Sequence, residues 1–116
     1  MTDKIDVMEE KSLAEIAREK FGEQLDVWKS QYAPKQLMVI AVEDKLIVLK
    51  PMTPAVFSQY SMLLASDGMA EATRYALNEL TLGGDAEVID DDDYFMSAIM
   101  QFNAVVELKK GRASKL

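Results

Sequence analysis

Residues 85–93 hold six acids, Asp85, Glu87, Asp90, Asp91, Asp92 and Asp93, with no lysine or arginine among them. Hard cations want several carboxylate oxygens at once, so this run is the first place to look for calcium or magnesium. Its spacing is not that of an EF-hand loop, and four consecutive aspartates point in different directions rather than converging. The run reads better as the acidic start of a helix, where Asp91, Asp92 or Asp93 accepts hydrogen bonds from unpaired N–H groups. No metal is expected. Gly83-Gly84-Asp85 invites a phosphate-loop reading, but it lacks the lysine and the longer glycine spacing of a P-loop. Nothing selects a pair of carboxylates for acid–base work. Cysteine and histidine are both absent, which removes thiolate chemistry, disulfides, the commonest general base and the Ser-His-Asp triad. No catalytic residue and no cofactor is expected, and the chain is not read as an enzyme.

The elements around these residues are drawn by apolar periodicity. Ser12 and Glu15 form a capping-box pattern ahead of the stripe Leu13, Ile16, Ala17, Phe21, Leu25, Trp28 and Tyr32. Gly22 is a weak point at which the run can break into two shorter helices, and Ala33-Pro34 ends it. Residues 37–42 and 46–50 are rich in Val, Ile and Leu and are split by Glu43-Asp44-Lys45, which predicts a hairpin. Both faces of each strand are apolar, so the ribbon is expected to be covered twice, by the protein's own helices on one side and by another subunit on the other. Thr53-Pro54 starts a helix carrying Val56, Phe57, Tyr60, Leu63 and Leu64. Ser66-Asp67-Gly68 interrupts it, with Asp67 expected to cap the next helix through Leu77 and Leu80. Gly83-Gly84 is then expected to turn the chain between helices. The last helix runs from the aspartates through Phe95, Ala98, Ile99 and Phe102 to Lys109, Lys110 and Gly111. The fold class is therefore α+β: an N-terminal helix, a β-hairpin, then three helices.

A chain of 116 residues fits one domain. Residues 1–11 are read as a flexible N-terminus, 12–110 as a single α+β domain, and 111–116 as a short basic tail. No apolar run approaches the roughly 18–20 residues that span a bilayer, so no membrane partner and a cytoplasmic location are expected. The net charge of −7 argues against nucleic acid, whose binding rests on lysine and arginine. Eight methionines are many for this length. Core packing is the default reading for each of Met62, Met69, Met96 and Met100, and an adaptable partner groove is a reading for the set.

From about Glu15 to Leu108 the sequence resembles the small tail-assembly chaperones of long-tailed bacteriophages and prophages. The resemblance is carried by the apolar hairpin ending in Lys50-Pro51, the helix after it, and the Leu82-Gly83-Gly84-Asp85 turn. Asp91-Asp92 leading into Tyr94-Phe95 and an apolar helix ending in lysines complete it. It implies a non-enzymatic role: binding the long tape-measure protein, keeping it soluble while tail-tube subunits polymerise, and leaving before the virion is finished. It also implies self-association, so a homo-oligomer is expected. It brings no active-site residues. Amphipathicity nominates Trp28, Tyr32, Phe57, Tyr60, Tyr94 and Phe102 as partner-binding residues. Two other readings are a small acidic inhibitor or antitoxin-like protein that neutralises a basic partner through residues 85–93, and a structural head–tail protein.

Overall fold

The computed structural model describes residues 12–106 and 111–116. The expected flexible N-terminus, 1–11, and the final lysine-bearing turn of the last helix lie outside the described residues. Ser12 starts helix α1 (Leu13–Phe21), its hydroxyl accepting the Glu15 N–H at 3.1 Å. Gly22, at φ 56° and ψ −130°, breaks the N-terminal helix, and α2 (Glu23–Tyr32) follows at once. The N-terminal run thus divides into two helices at the weak point its sequence marks. A backbone at that φ costs glycine little and any other residue more, which makes Gly22 the natural breaking point.

Strands β1 (Met38–Val42) and β2 (Lys45–Leu49) form the predicted antiparallel hairpin, paired from Met38↔Leu49 to Val42↔Lys45 around Glu43-Asp44. Helix α3 (Pro54–Ser66) opens as expected, with Thr53 Oγ1 accepting the Val56 N–H at 3.2 Å. Asp67 does not cap the next helix. It closes α3, its N–H reaching the Leu63 carbonyl at 2.8 Å, and α4 (Met69–Leu80) begins behind Gly68 without a side-chain cap.

The largest departure follows. Thr81–Gly84 is a third strand, β3, antiparallel to β2 through Ile47↔Gly84, Val48↔Gly83 and Leu49↔Thr81. Gly83-Gly84 belongs to the sheet and not to a turn between helices. The glycines are there for close approach. At Gly84 (φ +132°) a Cβ would drive into the Leu46 carbonyl oxygen, and at Gly83 it would lie 2.8 Å from Trp28 Cη2. A short helix, α5 (Glu87–Asp90), then leads into α6 (Asp92–Val105).

The sheet order β1-β2-β3 makes β2 central, and Leu46, Ile47, Val48 and Leu49 are all essentially inaccessible to solvent. Alternation sends Ile47 and Leu49 to one face, against Tyr60, Leu77, Leu80, Phe95 and Phe102. Leu46 and Val48 go to the other, against Ala17 and Leu25, with Phe21 and Trp28 packed at the margin. Each such side chain contributes about 1.5–3 kcal/mol by leaving water. The second face of the hairpin, assigned on sequence to another subunit, is covered by α1 and α2 of the same chain. The chain is a mixed α+β protein: a three-stranded antiparallel sheet with two N-terminal helices on one face and α3, α4 and α6 on the other. Among the described residues no helix is long and apolar enough to cross a membrane.

Candidate interaction surface

Three of the six acids in residues 85–93 are occupied inside the fold. Asp85 Oδ2 accepts the Leu46 N–H at 2.9 Å and lies 2.8 Å from Lys20 Nζ, tying β3 to both β2 and α1. Burial pushes the Asp85 carboxyl up, but the Lys20 ammonium and the Leu46 N–H outweigh it and hold the group below the usual carboxylate range. Glu87 lies 3.1 Å from Lys45 Nζ and raises that ammonium's pKa. Asp91 is the cap of α6, its Oδ1 accepting the N–H groups of Asp93 at 3.0 Å and Tyr94 at 3.3 Å. Asp90, Asp92 and Asp93 remain on the surface. Among the described residues no three acids converge in a way that could hold a metal ion. A concavity of about 320 Å³ beside Gly83 and Gly84 is lined by Asn78 and Asp90 and by no cation, which does not suit phosphate.

The six aromatic residues nominated as partner contacts are not brought together. Phe102 is fully buried and Tyr60 is 7% exposed. Their rings meet edge to face at 5.6 Å, and the Tyr60 hydroxyl donates to Asn103 Oδ1 at 3.2 Å. Both are core residues, because the helical stripe that carries them is the one turned to the sheet. Trp28 is half-buried on the opposite side of the sheet, edge-on to Phe21 at 5.1 Å and against Gly83. Tyr32 is half-buried near the end of α2, and Tyr94 is half-buried at the start of α6. Phe57, 36% exposed on α3, is the most open of the six.

The methionines do the reverse. Met62, Met69, Met96 and Met100, each read by default as core, are 63%, 47%, 60% and 66% exposed. Met62, Met96 and Met100 lie in stretches without charge, since residues 51–66 and 94–106 contain no Asp, Glu, Lys or Arg, whereas Met69 opens α4, which carries Glu71, Arg74 and Glu79. Within α3 only Tyr60 is buried, although Val56, Phe57, Met62, Leu63 and Leu64 are all apolar. An apolar helix that buries one residue leaves the rest of its surface to water or to a partner. Helices α3, α4 and α6 adjoin: Tyr60 on α3 bonds Asn103 on α6, and Asn103 Nδ2 lies 3.4 Å from Met69 Sδ at the start of α4. Met62 is two residues from Tyr60 and so turned away from that junction, while Met96, Met100 and Asn103 share one side of α6 and form, with Met69, an exposed methionine-rich surface. Periodicity overlooked it because it presumes that apolar means inward; the signal that finds it is the length of the two charge-free runs. A second apolar groove, about 440 Å³ between α1, α2 and the start of β1, differs in carrying Lys29 and Lys35 among its lining residues.

Comparison with known protein families, with curated proteins and with solved structures finds no match to this chain.

Proposed function

We propose that this protein is a tail-assembly chaperone of a bacteriophage or prophage, binding the tape-measure protein in the host cytoplasm and keeping it soluble. The observation that carries this reading is the exposure of Met62, Met96 and Met100 in charge-free stretches of a chain with net charge −7. Methionine is flexible and polarisable, so a surface built from it fits apolar segments of varied shape. Surplus negative charge elsewhere keeps the complex dispersed. The proposal includes self-association of the free chaperone, which would shelter the same face between clients.

Occupation of Asp85, Glu87 and Asp91 by internal partners weighs against the inhibitor reading, since it leaves fewer acids of that segment for a basic target. The test is capture of the tagged chain from cells in which its own phage or prophage has been induced, with washes at low and high salt. The tape-measure protein should stay bound through high salt, and should be lost from a Met96→Glu/Met100→Glu variant. A small basic partner released by salt and indifferent to the methionines would overturn the reading in favour of the inhibitor. Recovery of the chain in purified virions would favour a structural head–tail role.

A further inference from the structure

The groove between α1, α2 and the start of β1 lies on the sheet face opposite the buried rings of Tyr60 and Phe102. Its volume of about 440 Å³ falls in the range of small-molecule sites, roughly 300–1,000 Å³. The floor is apolar and buried: Ala17 and Leu25 are 1% and 3% exposed, with half-buried Leu37 and Val39 beside them. The mouth is different. Lys29 on α2 and Lys35, in the segment leading to β1, both line the groove and are both exposed.

The charge of these two lysines is not spent inside the fold. Arg18 is paired with Asp26 at 2.6 Å, Lys20 with Asp85 at 2.8 Å and Lys45 with Glu87 at 3.1 Å. Arg74 lies over the Phe95 ring. Lys29 and Lys35 form no ion pair among the described residues. Lys29 acts on Asp26 only from a distance, that carboxylate being held by Arg18.

We infer that this groove binds a linear apolar carboxylate of the fatty-acid class, its chain on the floor of Ala17 and Leu25 and its head at Lys29 and Lys35. The burial pattern sets this orientation, since inaccessible residues line the depth and charged ones the rim. An acyl chain gains free energy with each CH₂ taken from water. A compact ammonium on a flexible stem attracts the carboxylate without demanding one direction of approach. A helix, roughly 10–12 Å across with its side chains, is too thick for a cavity of this volume. The site is separate from the exposed methionines and does not depend on the chaperone reading.

Decanoate, decanol, decyltrimethylammonium and butyrate test this on the full chain by isothermal titration calorimetry, each amphiphile kept below its micelle concentration. Decanoate should saturate at one per chain and bind about tenfold tighter than decyltrimethylammonium, with decanol between them. The gap should narrow as salt screens the lysines. Butyrate, with the same head and little chain, should not bind measurably. Lys29→Glu/Lys35→Glu should remove the preference for decanoate. Ala14→Phe, which fills the groove from an exposed position on α1, should weaken decanoate and decanol alike. All three positions are exposed, so circular dichroism of both variants should match that of the native chain. Equal binding of decanoate and decyltrimethylammonium would overturn the inference, as would binding that survives both variants. Failure of decanoate to bind would overturn it too, in favour of an acidic peptide or a second copy of the chain, whichever Lys29→Glu/Lys35→Glu displaces.

Discussion

The acidic segment 85–93 and the charge-free stretches 51–66 and 94–106 invert what their compositions advertise. The first displays the densest charge in the chain, yet Asp85, Glu87 and Asp91 are spent on a strand contact, an ion pair and a helix cap. The second consists of residues that belong in a core, yet Met62, Met96 and Met100 are left in water. Carboxylates bond readily to backbone N–H groups and lysines nearby, so they find local work in any fold. An apolar side chain left outside has no such local use, and its exposure costs about 25 cal/mol for each Å² not buried. The exposed methionines are therefore the better guide to function.

The sharpest way to break this contrast is at Phe102, which lies on the inner side of the helix that exposes Met96 and Met100. Phe102→Ala should cost about 3–5 kcal/mol in urea unfolding. A change within about 0.5 kcal/mol would mean that Phe102 belongs to the surface after all. Asp85 comes next. Asp85→Asn should cost about 1–2 kcal/mol near neutral pH, through the weakened link to Lys20 and Leu46. An unfolded aspartate titrates near about 3.9, and the folded Asp85 lies below it. Its contribution is therefore complete above that value and disappears as pH falls through the folded pKa. The difference between the native and Asn forms should accordingly stay constant across neutral pH and shrink only in acid below about pH 4. Asp91→Ala should cost about 1 kcal/mol through loss of the α6 cap, whereas Asp92→Ala should change stability by less than about 0.5 kcal/mol. Equal losses at the two positions would show that the run acts as a block of charge and not through one cap.

These residues also show how far the sequence could be read. Thr53-Pro54, Ser12, Gly22 and the Val/Ile-rich hairpin were legible because each is decided by its own local chemistry: a cap, a φ preference, a pleat. Strand β3 was not. Thr81-Leu82-Gly83-Gly84 has little of the β-branched character of a strand, and it is held by pairing with residues far away in the chain, where the Leu46 backbone requires glycine at 84 and Trp28 crowds position 83. The source of cover for the second sheet face was hidden for the same reason, since no periodicity says which helix packs on which face. The methionines were visible as a set but not as a surface. A helix apolar on every side, like α3, gives no direction from which inside can be told from outside.

The account turns on the methionine face, and the Met96→Glu/Met100→Glu variant tests it most directly when unfolding and client retention are measured on the same preparation. Both side chains are mostly in water, so the unfolding midpoint should barely move. Retention of the tape-measure protein at high salt should fall by more than about tenfold, as expected when an apolar contact is replaced by two buried charges. Unchanged retention with unchanged stability would contradict the account, because it would show that the exposed methionines hold nothing.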